Sequence, residues 1–440
     1  MKINHTFIAT YALLSIMAPT AYADNLLSVY QLAVQNDSQF KASQAEFRAL
    51  AESKNQSRAL LLPNISASAH YSDNTTETEP TSVSPKYHYK SNGYNLNLTQ
   101  PIYQHANVVG LTQADAQVAQ ALANFENAKQ DLIVRVASQY FSVLAAKDTL
   151  AFAKKEQKAI HEQRIQTQQR FNVGLIAITD VHEARALHDQ AIANTIVAEN
   201  TLAISLETLR EITATKHQNL SPLSSDHPLM IPKPANVGQW VNTAETQNPS
   251  LMASIKNVEV ARTEISRQQS GHYPSLDLNV KHSYTDYDKN APSLGERQQY
   301  DTTVSLQLNI PLYQGGMVNS KTRAAAYRLE QSKQLLEQQK RAIKRQTRNS
   351  YLSVVANISQ VKALKQALAS SQIALEATQA GFDVGTRTII DVFNSQRELF
   401  RAKRDYAQVR YNYVLETLKL KQAAGTLSML DIEQLNPWFK

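Results

Sequence analysis

Two histidine residues followed by glutamate are the side chains in this sequence best suited to metal chemistry. His161 and His182 each precede a glutamate, within stretches of helical periodicity. The His-Glu-x-x-His zinc pattern needs a second histidine four residues after the first, so that both rings lie on one helix face. Ile and Ala occupy those positions instead. We therefore interpret both histidines as solvated residues on helix faces, and predict no metal site.

The other common catalytic signatures are also missing from the sequence. No phosphate-binding Walker loop, Gly-x-Ser-x-Gly elbow or dinucleotide fingerprint occurs. Because the sequence contains no cysteine, disulfides and thiolate chemistry are excluded. These observations predict a protein that is not an enzyme and needs no cofactor, so that energy for any transport must come from a partner.

The N-terminal segment has the features of a secretory signal. Lys2 precedes an apolar stretch from Phe7 to Met17, and Ala21-Tyr22-Ala23 fits a signal-peptidase site. We predict that residues 1–23 are removed and that Asp24 begins the mature chain. The alternative is a membrane anchor, but the apolar stretch is shorter than the roughly 20 residues of a spanning helix. Since no later stretch reaches that length either, any membrane crossing must use strands.

The basic charge of the chain does not indicate nucleic acid as a partner. The formal net charge is +7, from 45 basic and 38 acidic residues. The basic residues are spread along helical stretches beside Glu and Gln, for example between Lys154 and Arg170. This distribution is typical of solvated helix faces, whereas nucleic-acid binding favours a compact basic patch with interleaved aromatic residues.

The sequence is an internal duplication with an offset of 211 residues. Phe171-Asn-Val-Gly174 aligns with Phe382-Asp-Val-Gly385, and similar blocks keep the same offset along both halves. Neither Gly nor Pro occurs from Leu111 to Val173 or from Met317 to Ala380, so each run can form a helix of roughly 95 Å. Apolar residues recur at spacings of three and four within these runs. We predict one antiparallel helical hairpin in each half.

Alternating residues precede each long helix and predict two strands in each half. The predicted repeats cover residues 24–235 and 236–440, each with an initial helix and the second with a short C-terminal tail. The predicted strands cover about 63–73, 91–103, 274–285 and 302–313. The predicted long helices cover about 105–173 and 317–380, and the return helices about 177–214 and 387–424.

Tyrosines cluster around the predicted strands, as they do in the aromatic girdles of outer-membrane barrels. They are Tyr71, Tyr87, Tyr89, Tyr94, Tyr103, Tyr284, Tyr287, Tyr300 and Tyr313. A soluble sheet that caps a helical bundle is the alternative. An open four-stranded sheet in lipid would leave backbone groups unpaired at its edges, so a membrane role requires closure with other chains. Two chains would supply eight strands and three would supply twelve, which leaves room for a lumen.

Four segments carry a resemblance to a known family. They are Gln169-Arg-Phe-Asn-Val-Gly-Leu-Ile-Ala-Ile-Thr-Asp-Val181, Gly271-His-Tyr-Pro-Ser-Leu-Asp-Leu278, Pro311-Leu-Tyr-Gln-Gly-Gly-Met-Val-Asn-Ser320 and Val384-Gly-Thr-Arg-Thr-Ile-Ile-Asp-Val392. With them the mature chain resembles the TolC family, the trimeric outer-membrane factors of Gram-negative efflux pumps and type I secretion systems. The similarity spans essentially the whole mature chain.

The resemblance implies a mixed, mainly α fold with transmembrane β structure. Four strands from each protomer of a homotrimer would form a twelve-stranded β-barrel in outer-membrane lipid, continuous with an α-helical tunnel in the periplasm. The implied function is export of small molecules such as drugs, bile salts and dyes, of secreted proteins, or of both. The implied partners are a periplasmic adaptor (membrane fusion) protein and an inner-membrane RND, ABC or MFS transporter.

The resemblance also implies three sets of site residues at the periplasmic tip. The adaptor-docking turns are Val173, Gly174, Leu175, Val384, Gly385 and Thr386. The latch that holds the tip closed is formed by Thr179, Asp180 and Arg387, with Phe382 in place of a family tyrosine and Gln163 and Gln379 in place of a glutamine and glutamate pair. The constriction is lined by Asp391 and by Asn394, where the family has a second acidic ring. We therefore expect a closed state held less firmly, and a weaker cation preference, than in the family.

Two other protein classes were weighed against this interpretation. A trimeric structural or adhesive stalk would not require near-identical loops at the ends of two hairpins. A periplasmic adaptor would add small domains rich in glycine turns, whereas this sequence has only 11 glycines, none so arranged.

Overall fold

The computed structural model describes residues 24–77, 86–217, 219–224, 228–292 and 295–439. The predicted signal, residues 1–23, lies outside these ranges, as do Pro80 and Pro85 of the loop between the first two strands. Among the helices of the described ranges, none combines the length and the apolar character required to span a bilayer.

Each half of the chain contains the same series of elements. The first half contains α1 (Leu26–Asn36), α2 (Ser38–Ala59), β1 (Asn64–Glu77), β2 (Lys86–Gln104), α3 (His105–Asn172) and α4 (Ile178–Thr213). The second half contains α5 (Val237–Gln247), α6 (Pro249–Gln269), β3 (Ser275–Tyr287), β4 (Arg297–Asn309), α7 (Met317–Asp383) and α8 (Ile389–Ala424). A short helix, α9 (Met429–Leu435), follows α8.

The offset of 211 residues holds at the ends of helices as well as in the sequence. Asn25 and Asn236 cap α1 and α5 by accepting backbone N–H groups, and Asp37 and Asn248 cap α2 and α6 in the same way. The helix pair α4 and α8 also begins and ends at positions separated by this offset. In α1, α2 and their counterparts α5 and α6, the duplication therefore extends to the capping residues.

The four strands form one antiparallel sheet in the order β1-β2-β3-β4. The first two are longer than the alternation predicts: β1 continues to Glu77 and β2 begins at Lys86. Residues 74–77 of β1 are polar on both faces, which removes the apolar alternation although pairing with residues 86–89 continues. The strands therefore extend farther toward the loop than apolar patterning alone shows.

The main core lies near the middle of the long helices. Tyr140 of α3 is fully buried there, and its hydroxyl donates to the carbonyl of Ser221 at 2.7 Å. The Tyr411 hydroxyl of α8 donates to the Asp148 carboxylate at 2.6 Å. Burial is the main cause that raises the pKa of both phenols, and the Asp148 charge adds to it for Tyr411. This core holds α3 and α8 together and leaves the hairpins to project from it.

Candidate functional site

The sheet has one apolar face and one polar face. Rows of side chains on the apolar face include Leu98 beside Val280 and Val304, and Tyr94 beside Tyr284 and Tyr300. Rows on the polar face include Asn97 beside Lys281 and Thr303, and Asn95 beside Ser283 and Asp301. In β2 the residues of the polar face are the less exposed set, which is the pattern of a sheet that curves with its polar face inside. Such a surface suits a water-filled lumen inside and lipid outside.

The tyrosine cluster is divided between these two faces. Tyr94, Tyr284 and Tyr300 stack on the apolar face, with neighbouring ring centroids 5.5 and 4.8 Å apart. Tyr89 and Tyr287, whose ring centroids are 6.4 Å apart, lie on the polar face instead. Only part of the cluster is therefore positioned to serve as an interfacial girdle.

At the opposite end of the long helices, two glycines make the hairpin turns possible. Gly174 and Gly385 have φ angles of +79° and +84°, where residues with a Cβ are strained. Three apolar side chains beside them project into solvent: Val173 is 71% exposed, Leu175 is 72% exposed and Val384 is 77% exposed. Exposed apolar side chains at the ends of two hairpins are a candidate docking surface.

The second tip is fixed by a capping box. The Asp391 backbone N–H donates to the Thr388 hydroxyl oxygen at 3.2 Å, and the Thr388 N–H and hydroxyl donate to the Asp391 carboxylate at 2.9 Å each. Chiefly the backbone N–H of Thr388, then its hydroxyl, lowers the pKa of the Asp391 carboxyl, and the charge of Arg387 contributes further. The carboxylate therefore stabilises the start of α8 while it remains exposed.

The two hairpins meet in a small apolar cluster just above the turns. Its buried members are Ile160, Ala184, Ala191, Phe382, Ile389, Val392 and Phe393, from α3, α4, α7 and α8. The Arg170 guanidinium lies over the Phe382 ring, 4.3 Å from its centroid, and pairs with Asp383 at 3.3 Å. These contacts join the end of α3 to the end of α7. The sequence analysis did not predict the pair of Arg170 and Asp383, because these residues are 213 positions apart.

The predicted latch residues do not contact one another within the described part of a single chain. No hydrogen bond or ion pair there joins Arg387 to Thr179 or Asp180. The Arg387 stem instead folds over Gly381, where an added Cβ would lie 2.7 Å from Arg387 Cγ.

The two predicted glutamine partners are also separate in this chain. Gln379 donates to the Asp383 carboxylate at 3.4 Å, while the buried Nε2 of Gln163 has no hydrogen-bond acceptor among the described residues.

The predicted constriction residues lie one turn apart on α8. Asn394 accepts a hydrogen bond from Arg397 at 3.1 Å. Arg397 therefore introduces a positive charge one turn beyond Asn394, a residue that the sequence analysis missed although the i,i+3 spacing places the two side chains on one face of α8.

His161 and His182 lie on α3 and α4, near the first tip. His161 Nδ1 is 3.2 Å from His188 Nε2 across the helix pair, and His182 lines the adjacent cleft with His188. Among the residues that the structure describes, no three His, Cys, Asp or Glu side chains are arranged to hold a metal ion.

Comparisons with known proteins agree with this architecture. The family described as outer membrane efflux protein matches residues 29–215 and 240–426. Outer membrane protein TolC of Vibrio cholerae is 37% identical over 98% of this chain and 97% of its own length. The proteases secretion protein PrtF of Dickeya chrysanthemi is 30% identical over 97% of this chain and 94% of its own length. The CmeC outer membrane channel of Campylobacter jejuni has the same fold, with a TM-score of 0.77 at 15% identity over 100% of this chain and 98% of that chain.

Proposed function

This chain belongs to the outer membrane efflux protein family, and we propose that it works as a homotrimer whose periplasmic tip opens to pass cargo from an inner-membrane transporter. The resemblance to the TolC family, the mainly helical fold with a β-sheet and the outer-membrane location expected from the sequence are confirmed. The protein is a channel for efflux or secretion, and its relatives are named as outer membrane or secretion proteins rather than enzymes.

The two-faced sheet with open edges is the observation that supports a trimer. Among the described strands, β1 and β4 each pair on one side only. In lipid such edges would leave backbone donors and acceptors unsatisfied, at a cost of several kcal/mol for each group. Pairing of β4 with β1 of a neighbouring copy removes both edges, and twelve strands leave a lumen that eight strands would fill.

Engineered cysteines test this closure directly, because the natural chain has none. We expect an Ile65→Cys, Leu308→Cys variant, with one cysteine on each edge strand, to give dimer and trimer bands when treated with a flexible bismaleimide in outer membranes. A Leu98→Cys, Val280→Cys variant is the matched control, since these residues are partners in the central strands of one chain. Monomer bands alone from the edge variant would contradict closure between chains.

Conductance separates a pore from a structural stalk. The purified trimer should form discrete ion channels in planar bilayers, whereas a stalk would form none. If the protein formed channels but migrated as a monomer in native electrophoresis, the pore function would be supported and the trimer would be contradicted.

For the tip, we propose that two kinds of link hold the gate closed. Arg170 and Asp383 link α3 to α7 within one chain, while Arg387 reaches Thr179 and Asp180 of a neighbouring copy. The side chains of Arg170 and Asp383 are 33% and 56% exposed, so the first link is expected to contribute no more than about 1 kcal/mol. A link of this strength can be released when a partner binds.

We also propose that the exposed turn residues receive a periplasmic adaptor. Val173 and Leu175 on one turn and Val384 on the other offer apolar contacts that the chain itself leaves uncovered. Replacing Leu175 and Val384 with glutamate should abolish export while bilayer conductance is retained. Loss of both export and bilayer conductance would indicate that the variant is misassembled, and would not support a docking defect.

The cargo classes can be separated in cells. Deletion of the gene should increase sensitivity to drugs, bile salts and dyes if small molecules are exported, and should stop secretion of an extracellular protease if a type I system is served. The names of relatives support both, since efflux and protease secretion occur among them. A deletion strain unchanged in both assays would contradict an export role.

A further inference from the structure

A cavity of about 370 Å³ lies between the last turns of α8, the helix α5 and the segment that precedes α5. Its lining includes Lys233, Trp240, Tyr413, Thr417, Leu420 and Trp438. The chain contains only two tryptophans, and both line this one cavity. A volume of this size with aromatic walls and a few polar groups is typical of small-molecule sites, which range from about 300 to 1,000 Å³.

The chemistry of the wall is apolar inside and cationic at the edge. Trp240 is buried, whereas Met230 and Ile231 are more than half exposed at the opening. Lys233 forms no ion pair with any carboxylate of the described residues, and Lys421 is paired with Asp431. Among the described residues, the cavity thus combines apolar surface with one ammonium group that has no carboxylate partner.

In the first half of the chain, the residues equivalent to part of this lining are packed into the core. The offset of 211 residues relates Trp240, Thr417 and Leu420 to Val29, Leu206 and Leu209. Val29 and Leu209 are fully buried in the main core, and Leu206 packs against it.

The short helix α9 accounts for the difference between the halves. It contacts α1 of the first half and contributes Ile432 and Leu435 to the core there. Only one such helix occurs in the described chain, after the second half. The groove between α5 and α8 is instead bordered by residues 230–233 and Trp438, which leave a cavity between them.

We infer that this cavity between α5 and α8 binds small apolar molecules that carry a carboxylate or a similar anionic group. The apolar body would lie between Trp240 and Trp438, with its anionic group toward Lys233. Tyr413 supports the opening, since its hydroxyl accepts from the backbone N–H of Met230 at 2.9 Å. The site lies outside the tip, and this inference does not depend on how the gate works.

Tryptophan emission provides a direct test, since both reporters line the cavity. The protein, held in amphipol without detergent, is titrated with 1-adamantanecarboxylate, which does not absorb in the measured range. We expect a saturable change in emission, and weaker binding of the uncharged 1-adamantanecarboxamide.

Two variants locate the binding site. Lys233→Gln should weaken binding of the carboxylate roughly two- to fivefold, as expected for one exposed charge contact. Thr417→Leu, which introduces the residue of the first half, should fill the cavity and weaken binding about tenfold or more. Lys365→Gln, at an exposed position on α7, is the matched control and should change nothing.

Three results would overturn the inference. They are no saturable emission change up to millimolar carboxylate, equal affinity for the carboxylate and the amide, and unchanged affinity in both the Lys233 and the Thr417 variants. Thermal unfolding of each variant at the wild-type temperature would show that the fold is retained. If Thr417→Leu unfolds early, the Lys233→Gln result and the amide comparison decide the question.

Discussion

The two hairpin tips are related by the internal duplication, but the equivalent carboxylate makes different contacts in each. Asp180 of the first tip and Asp391 of the second are related by the offset of 211 residues. Thr388 precedes Asp391 by three residues and binds it in a capping box, whereas Ala177 occupies the corresponding position before Asp180 and offers no side-chain cap. The carboxylate of the second tip is therefore used within its own helix. The carboxylate of the first tip remains available for a partner in another chain, as the proposed latch requires.

The same divergence occurs at the far ends of the return helices, where the largest effect is expected. Ala214 and Gly425 both end their helices in the left-handed region, at φ of +54° and +79°. A Cβ at Gly425 would lie 2.3 Å from the carbonyl oxygen of Gln247. We expect Gly425→Ala to lower the free energy of unfolding by about 3 kcal/mol, through clash and strain together. Thermal unfolding in amphipol measures it.

The reciprocal substitution, at Ala214 of the first half, tests whether glycine is required only in the second half. Ala214→Gly should leave stability unchanged or raise it by up to about 1 kcal/mol, since glycine relieves the left-handed strain of alanine. Similar melting temperatures for the Gly425→Ala variant and the wild type would show that α5 can move away from α8 without cost.

The capping difference at the tips should be the next largest effect. Thr388→Ala is expected to destabilise the first turn of α8 by about 1 kcal/mol, and Ala177→Thr to stabilise the first turn of α4 by a smaller amount. Amide hydrogen exchange at the two tips measures both. If Thr388→Ala left the exchange at residues 388–392 unchanged, the capping box would not be what distinguishes the tips.

Acidification should loosen the second tip by removing the same interaction. The pKa of Asp391 lies below its ordinary value of 3.8, so its ionised form is stabilised by folding. That stabilisation is complete above pH 3.8 and is lost as pH falls below it, through the lowered pKa. The protection of the amides at the start of α8, relative to their intrinsic exchange rate at each pH, should therefore be constant from neutral pH to about pH 4 and decrease below it. In Thr388→Ala, which removes the hydroxyl contact, the loss should be smaller and should be complete at a higher pH.

The link between the hairpins is exposed, so its removal should have a moderate effect. Arg170→Ala and Asp383→Asn should each increase the open population of the gate, by up to about fivefold for a pair worth no more than about 1 kcal/mol. Mean conductance in bilayers measures it, with Arg345→Ala on α7 as a control far from the tip. The exchanged variant Arg170→Asp, Asp383→Arg should recover the closed state. If the exchanged variant stayed open, the ion pair would not be the link, and the contact between the Arg170 guanidinium and the Phe382 ring would be.

Much of the fold could be predicted because its signals are local and repeated. Helical periodicity without Gly or Pro, glycines at the turns and the constant offset define both hairpins before any contact is known. The strands were harder to delimit, since residues 74–77 at the end of β1 are polar on both faces. Contacts at the tip were harder still. Arg170 and Asp383 meet only through the packing of two hairpins, and no spacing in the sequence relates them.

The smallest effect is expected at the predicted constriction, where Asn394 is neutral. With Asp391 ionised, Asn394 neutral and Arg397 one turn beyond, we expect only a weak cation preference. Reversal potentials in a salt gradient should therefore be small and of cationic sign. Asn394→Asp adds one carboxylate to each chain and should shift the potential toward cations, and Arg397→Gln should shift it in the same direction by removing a positive charge. Asp391→Asn should reduce or reverse the preference. Anion selectivity in the natural channel would mean that Arg397, and not Asp391, dominates the field at the tip.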